Sequence, residues 1–290
     1  PQKSCRPGGL DPLYARPGRS AGKLAQLSLM TDQSIVPVEC VALANDLADL
    51  ARPIIKAHFR TGTAISDKAD ASPVTAADRA AEVAMRTAIN EAFPDHGILG
   101  EEFGHENTDA DYVWVLDPID GTKAFVTGKP LFGTLIALCH QGRPILGLID
   151  QAILDERWLG AVGRRTTLNG ADISTRAATL NDAWLYATSP DMFEGADAEA
   201  FARLGKAVKH TLYGADCYAY GLLAAGHTDM VCEASLKPYD YCAHVPIIEG
   251  AGGCMTDWSG AALSIASDGR VLAAGDGATH AAALRILQAS

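Results

Sequence analysis

The sequence has no long apolar runs. Hydrophobic residues make up 48% of its 290 positions, but the best continuous stretches, residues 113–116 and 134–139, have only the length of strands. A helix that crosses a membrane needs about 20 consecutive apolar residues, so no membrane partner is expected. With this apolar content and 20% charged residues, the chain as a whole is not expected to be disordered.

Positive charge is scarce as well. The chain carries 24 Lys and Arg against 35 Asp and Glu, a formal net charge of −11. Nucleic-acid binding depends on basic patches that displace counterions from the phosphates. The charge balance therefore argues against a nucleic-acid partner.

Paired cysteine motifs are also missing. The seven cysteines contain no Cys-x-x-Cys pair and are odd in number, which indicates neither a zinc site nor a disulfide framework. Free thiols are typical of a reducing compartment. We therefore expect the protein in the cytoplasm.

The first 29 residues differ from the rest of the chain. They carry five basic residues and one acid, Asp11, among several prolines and glycines, and they show no apolar period. We expect residues 1–33 to form a disordered or non-native extension and residues 34–290 to form a single folded unit. The basic character also suits an organellar transit peptide, but the prolines disfavour this reading because they interrupt an amphipathic helix.

Apolar spacing predicts two helices early in the folded unit. Leucines and an isoleucine at helical spacing predict a helix over residues 38–59. A capping-box pattern from Thr75 to Asp78 predicts a second helix that ends before Pro94. Strand-like runs follow at residues 97–100, 112–116, 132–140, 145–150 and 157–162.

After residue 180 the predicted elements alternate. Strands are predicted at residues 183–188, 210–213, 228–232, 255–257 and 271–274, and helices at residues 198–208, 216–225, 239–251 and 278–288. Such alternation is typical of α/β layering. Within it, Trp184 is expected in the core, and so is His244, although His244 follows Asp240 by one helical turn and a place near that acid is the alternative.

Two carboxylates stand close together at the end of a predicted strand. The strand ends in Asp117, a proline forces a turn, and Asp120 follows three positions later. Together with the Ile119 carbonyl they offer hard oxygen ligands of the kind that Mg²⁺ prefers. Directly afterwards, Gly121 and Thr122 open a short helix, whose free N–H groups suit a phosphate. Metal and phosphate are thus predicted on one loop.

Other acids occupy comparable positions. Glu101 and Glu102 follow a short strand between two glycines, and Asp240 stands at a helix start after a strand. Each has an ordinary interpretation when taken singly, because adjacent glutamates are usually solvated and an Asp at a helix start is usually a cap. Together with Asp117 and Asp120, these acids at the ends of elements would suit two or three hard cations.

In their order along the chain, these motifs resemble those of the inositol monophosphatase superfamily, over residues 38–287. The motifs are Asp70-x-Ser72-Pro-Val-Thr75-x-x-Asp78, Gly100-Glu101-Glu102, Asp117-Pro-Ile-Asp120-Gly-Thr122, Tyr239-Asp240 and Glu249-Gly-Ala-Gly252-Gly253. The run that begins Asp-Gly-Thr-Lys123 and the run Asp216-Cys-Tyr-Ala-Tyr220-Gly resemble the histidinol-phosphatase branch of that superfamily.

The resemblance implies a layered α-β-α-β-α fold and hydrolysis of a phosphomonoester that depends on two to three Mg²⁺ ions. Residues 34–180 would form a metal and phosphate half with a mixed sheet, and residues 181–290 an α/β half that supplies Asp240 and the substrate pocket. Carried over by position, the first ion would be held by Glu101, Asp117 and the Ile119 carbonyl. The second would be held by Asp117, Asp120 and Asp240, and a third, weaker ion would involve Glu101 and water.

The resemblance also implies catalytic roles. Thr122 would lie against Asp78 and help to orient and deprotonate the attacking water, beside Glu101. The N–H groups of Gly121 and Thr122 would hold the phosphate. Such chemistry needs positioning and charge neutralisation and no covalent nucleophile. For Asp78, a capping role in the helix is the simpler alternative, and one residue can serve both purposes.

The branch implies L-histidinol phosphate as substrate, which carries an ammonium group and an imidazole. Asp216 and Glu233 are the candidates to face these groups, since a buried acid pair suits a cation. For Asp216 the alternative is a helix N-cap. Inositol 1-phosphate is a weaker substrate alternative because it would leave these acids unused.

A 3′-phosphoadenosine 5′-phosphate is also disfavoured as substrate, since Lys237 is the only Lys or Arg among residues 216–240. A non-catalytic binding relative is the alternative of another class. It is disfavoured because none of the metal carboxylates is missing. The superfamily finally implies a homodimer.

Overall fold

The structure, a computed structural model, describes residues 36–61, 65–67 and 73–289. The expected extension 1–33 lies outside these residues, and so do Asp70 and Ser72 of the first motif. In the part of the chain that is described, no helix is both long enough and apolar enough to cross a bilayer.

Two long helices form the first layer. α1 spans Val38–His58 and α2 spans Ala76–Ala92, so both predicted helices are confirmed to within two residues. The inward face of α2 is unusual because it carries two acids, Asp78 and Glu82, in line with the apolar Met85 and Ile89.

The first sheet contains eight strands, and a two-stranded pair stands apart from it. The pair is β1 (Ile65–Asp67) and β2 (Pro73–Thr75). The eight strands are β3 (Gly97–Gly100), β4 (Gly104–Glu106), β5 (Tyr112–Asp120), β6 (Gly133–His140), β7 (Arg143–Gln151), β8 (Glu156–Ala161), β9 (Thr167–Leu168) and β10 (Ala171–Asp172), and the short helix α3 (Thr122–Val126) follows β5. Their order is β10-β9-β8-β7-β6-β5-β3-β4, and β3 pairs with β5 in parallel.

The second sheet contains five strands. They are β11 (Trp184–Ala187), β12 (His210–Tyr213), β13 (Met230–Glu233), β14 (Cys254–Thr256) and β15 (Val271–Ala274), in the order β12-β11-β13-β15-β14. The helices of this half are α4 (Gly195–Ala207), α5 (Cys217–Ala224), α6 (Pro238–Tyr241), α7 (His244–Gly250) and α8 (Gly277–Leu287).

The layers alternate between helices and sheets. α1 and α2 pack on one face of the eight-stranded sheet, α5 and α7 fill the space between the sheets, and α4 and α8 cover the outer face of the five-stranded sheet. Alternate residues of β5 belong to two different hydrophobic cores. Val113 and Val115 pack into one core, and Trp114 and Leu116 pack into the other. The predicted α-β-α-β-α fold of the α/β class is confirmed.

Two local predictions were wrong. The single helix expected over residues 239–251 is divided into α6 and α7. Pro246 explains the break, because it has no N–H to donate to the carbonyl of Cys242 one turn earlier. Trp184 is not a core residue, since 40% of its surface is exposed.

Candidate active site

The end of β5 brings two acids to one place. In a regular strand, Asp117 and Asp120 would point to opposite faces because their spacing is odd. The pairing of β5 with β6 shifts register between these two residues, which allows both carboxylates to reach one site. The irregular segment is held by the Thr134 hydroxyl, which donates to the Pro118 carbonyl at 2.8 Å.

Asp240 joins them from the second half of the chain. The helix α6 packs against β5, and single carboxylate oxygens of Asp117, Asp120 and Asp240 lie within 4.8 Å of one another. Backbone N–H groups orient two of the three. Cys217 donates to Asp120 Oδ2 at 2.6 Å, and Lys237 donates to Asp240 Oδ2 at 2.7 Å.

This cluster of like charges suits a cation. Burial raises the pKa of Asp117 well above its usual range, and the charges of Glu101 and Asp120 add to the effect. Burial also raises the pKa of Asp240 to about 7. Among the described residues, Asp117 Oδ1 has no hydrogen-bond partner although it is buried. An oxygen left in this way is a suitable ligand for a hard divalent ion, so the donor set fits Mg²⁺.

A second acid group lies beside the first. Asp78 on α2 and the adjacent Glu101 and Glu102 offer carboxylate oxygens within 4.8 Å of one another. The turn after β3 carries the two glutamates, and the Glu101 N–H donates to the Leu116 carbonyl on β5 at 3.1 Å. Glu101 connects both groups, since its charge also raises the pKa of Asp117.

Glu102 was given no role from the sequence. Its side chain is nonetheless buried, with 1% exposed, and its Oε2 atom lies 3.8 Å from Arg79 Nε. The available signal was its position between glycines directly after a buried strand. Adjacent glutamates ordinarily lie on the surface, which is why this signal carried little weight.

The start of α3, where a phosphate site is predicted, begins with a residue of left-handed conformation. Gly121 has φ +84°, a left-handed conformation that favours glycine. A Cβ at this position would also stand 3.1 Å from the Cβ of Asp216. The Thr122 hydroxyl donates to the Ile119 carbonyl at 3.0 Å. Its pairing with Asp78 stays a prediction.

Asp216 does not act as a helix cap. It occupies the N-cap position of α5 with φ +46°, but its side chain makes no capping hydrogen bond. Burial and the charge of Glu233 raise the pKa of Asp216 to about 7, while Lys123 and Lys129 act in the opposite direction. A non-glycine residue with positive φ is strained. The side chain of Asp216 lies against Gly121, and its charge raises the pKa of Asp120.

Glu233 is held at the end of β13. Its carboxylate is 3% exposed and accepts hydrogen bonds from the Thr188 N–H and the Tyr220 hydroxyl, each at 2.8 Å. Burial raises the pKa of Glu233, and the two hydrogen bonds partly oppose that rise. The aromatic ring of Tyr220 stacks on His244, with ring centroids 3.9 Å apart.

The predicted core position of His244 is confirmed. The residue is fully buried, and within the described part of the chain neither ring nitrogen has a partner of good hydrogen-bonding geometry. Burial lowers the pKa of His244 to about 3, although the nearby Asp240 backbone opposes the change. The imidazole is therefore neutral in the folded protein at neutral pH.

Comparison with known proteins adds independent information. The model of the inositol monophosphatase family matches residues 37–290. The bifunctional phosphatase IMPL2, chloroplastic, of Arabidopsis thaliana is 54% identical over 257 residues, which cover 85% of this chain and 74% of that protein. The histidinol-phosphatase of Chlorobaculum parvum is 33% identical over 234 residues, covering 80% and 90%. A solved inositol monophosphatase from Zymomonas mobilis superposes with a TM-score of 0.80 and 48% identity, covering 87% and 98%.

Proposed function

We propose that this chain, which belongs to the inositol monophosphatase family, hydrolyses L-histidinol phosphate to L-histidinol and phosphate. The family consists of metal-dependent phosphatases that act on small phosphomonoesters. One observation carries the choice of substrate: the partly buried Asp216 and the buried Glu233 form a second pair of acids whose charges act on Asp120 and Asp240 of the carboxylate cluster that suits a metal. Similarity to histidinol-phosphatases supports the same choice.

The metal ligands are proposed as follows. Glu101, Asp117 and the Ile119 carbonyl would hold one Mg²⁺, and Asp117, Asp120 and Asp240 would hold another. The mutual distances of the second set, within 4.8 Å, support this assignment. The Ile119 carbonyl already accepts from Thr122, but a carbonyl oxygen has a second lone pair for a metal. A third ion would be bound more weakly, through Glu101 and water.

The protein residues would position water and phosphate. Asp78, which is 1% exposed, would accept a proton from water through the Thr122 hydroxyl, since a hydroxyl both donates and accepts. Glu101 would help to place the same water. The N–H groups of Gly121 and Thr122 would hold the phosphate oxygens. Bound Mg²⁺ supplies charge neutralisation and activation of water.

Asp216 and Glu233 would recognise the organic part of the substrate. The charge of Glu233 already raises the pKa of Asp216, and this repulsion is unfavourable without a cation beside the two acids. The ammonium and imidazole groups of histidinol would supply that positive charge. The affinity for the substrate would then depend on a positively charged group, which neutral polyols lack.

A second candidate substrate is inositol 1-phosphate. The similarity to the Zymomonas mobilis protein, whose structure is described as that of an inositol monophosphatase, favours it. A 3′-phosphoadenosine 5′-phosphate is less favoured, since it requires a second basic cluster.

Phosphate release from three substrates tests the proposal. The purified chain is incubated with Mg²⁺ and L-histidinol phosphate, inositol 1-phosphate or 3′-phosphoadenosine 5′-phosphate, and kcat/KM is compared. We expect L-histidinol phosphate to be the best substrate. A higher kcat/KM for either alternative would reject the substrate while retaining the phosphatase activity. No release from any of the three would favour a non-catalytic relative.

The substitution Asp216→Ala tests the recognition of the cation. Removing one carboxylate should lower kcat/KM for L-histidinol phosphate by about 100-fold, while activity on inositol 1-phosphate changes little. An equal fall in kcat/KM for both substrates would mean that Asp216 has a purely structural role. The second substrate serves as the internal control for folding and metal binding.

Cellular location and assembly are proposed separately. We keep the cytoplasm as the expected location, and imaging of the full chain fused to a fluorescent protein tests it. Import into an organelle would instead match the relative named as chloroplastic. A homodimer is proposed from the family, and sedimentation at equilibrium would distinguish it from a monomer.

A further inference from the structure

A buried carboxylate on α2 lies outside the two acid groups. Glu82 is 0% exposed and follows Asp78 by one helical turn on the inward face of the helix. A fully buried glutamate is rare unless it is paired. Its partners therefore indicate what it does.

Glu82 binds the backbone of the turn that carries the proposed metal ligand Glu101. Its Oε2 atom accepts from the Glu102 N–H at 2.8 Å, and its Oε1 atom accepts from the Phe103 N–H at 3.1 Å. These N–H groups lie in the tight turn between β3 and β4, where neither pairs with a neighbouring strand. The carboxylate thus substitutes for the partners that a sheet would supply.

Arg86 completes the arrangement. Its Nε atom donates to Glu82 Oε1 at 2.8 Å, which balances the buried charge. Its Nη2 atom donates to the Gly104 carbonyl at the start of β4. One residue pair on α2 therefore binds both sides of the turn.

The approach of Glu82 also explains a glycine. A Cβ at position 100 would stand only 2.1 Å from Glu82 Oε1. Because that oxygen is fully buried and bound to two donors, it cannot move aside without losing them. Gly100 therefore leaves room for the carboxylate beside the turn.

We propose that Glu82, supported by Arg86, is a positioning residue that sets the affinity of the site for divalent cations by holding the turn with Glu101 and Glu102. Groups that orient metal ligands commonly contribute about 10-fold to 100-fold to metal affinity. Glu82 does not touch the reacting atoms. It acts through the backbone, by fixing where the Glu101 carboxylate stands relative to Asp117.

The substitution Glu82→Gln tests this proposal, which rests on the proposed metal-dependent function. Glutamine keeps the shape but has one acceptor oxygen, so the turn loses at least one backbone hydrogen bond. Titration calorimetry with Mg²⁺ alone, without substrate, should show a dissociation constant raised about tenfold. The Mg²⁺ concentration for half-maximal activity should rise similarly, while kcat at saturating Mg²⁺ stays close to wild type.

Asp229→Asn is the matched control. Asp229 is also buried, binds Arg176 through both oxygens, and accepts the Trp184 N–H at 2.9 Å, but it lies directly before β13, away from the turn. Its loss should lower thermal stability and leave the Mg²⁺ dissociation constant unchanged. The control thus separates general destabilisation from positioning.

The outcomes are distinguishable. Wild-type protein that binds no Mg²⁺ would overturn the proposed function itself. If wild type binds and Glu82→Gln binds equally well, the positioning role alone is overturned. Should Glu82→Gln fail to fold, the milder Arg86→Gln replaces it, with a smaller rise in the dissociation constant expected. An unchanged constant in that variant overturns the proposal.

Discussion

Two buried aspartates of this protein, Asp150 and Asp117, have opposite electrostatic surroundings. Asp150, at the end of β7, is 1% exposed and lies between two arginines: Arg52 donates to both of its oxygens at 2.9 and 2.6 Å, and Arg157 donates at 2.7 Å. Asp117 is 2% exposed, but its neighbours are other carboxylates. Within the described residues, no ion pair includes Asp117.

The difference separates a structural charge from a functional one. A buried carboxylate between arginines is compensated inside the protein, and breaking the pair is costly. Carboxylates buried against one another raise each other's pKa and destabilise the fold unless a cation enters. The uncompensated group is therefore expected to contribute to binding, while the compensated group contributes to stability.

The largest expected effect is on activity. Asp117→Asn removes a carboxylate shared by both proposed ions, so kcat/KM should fall about 10³-fold or more, which corresponds to several kcal/mol of transition-state stabilisation. Phosphate release at increasing Mg²⁺ measures the loss. Activity within a few-fold of wild type would contradict the metal assignment.

Breaking the compensated group should affect stability instead. Asp150→Asn leaves Arg52 and Arg157 without their shared partner, and the free energy of unfolding should fall by about 3 kcal/mol. Urea denaturation at neutral pH measures this change. Calorimetry on the folded variant should find the Mg²⁺ affinity of wild type. A loss of Mg²⁺ affinity without a loss of stability would mean that Asp150 serves the metal site and not the fold.

The buried imidazole should make the protein sensitive to acid. Because the pKa of His244 is lowered to about 3, the unfolded chain binds the proton more readily than the folded chain below about pH 6.5. The contribution of this residue to the free energy of unfolding is therefore present above that pH and is lost as the pH falls. At pH 5 the loss is about 2 kcal/mol.

The substitution His244→Phe should remove that part of the pH dependence. Urea denaturation at about pH 7 and pH 5 is compared with the exposed control His105→Phe, which should behave as wild type. Identical acid sensitivity in all three proteins would show that the buried imidazole does not titrate on unfolding.

The smallest expected effect is a gain of stability. In protein freed of metal by a chelator, Asp117→Asn should raise the free energy of unfolding slightly, because a repelling charge is removed. Thermal melts with and without Mg²⁺ measure it. The variant should also lose the stabilisation that Mg²⁺ gives to wild type. A lower melting temperature in the metal-free variant would mean that Asp117 is compensated after all.

The sequence predicted the helices and strands better than it predicted the contacts between distant residues. The ends of α1, β3, β12 and β15 were predicted to within a residue, because apolar periodicity is a local property of the chain. Short strands such as β9 and β10 were missed, since two residues carry no period. The division between α6 and α7 was readable from Pro246 and was overlooked.

The candidate site shows the same limit. The loop from Asp117 to Thr122 is contiguous, so its acids and its helix start were recognised together. Glu82 was overlooked because a glutamate in an amphipathic helix ordinarily faces solvent. Only the packing of α2 against the turn after β3 reveals its partners.

By itself, the sequence determined most of the helices and strands, their α/β alternation, and the local loop that combines two carboxylates with a helix start. These depend on spacing within a few residues. Only the tertiary structure decided that Asp240 meets Asp117 and that Asp216 faces Gly121 rather than capping α5. Such residues lie far apart along the chain, and their side chains meet only because the helices between the two sheets pack against both of them.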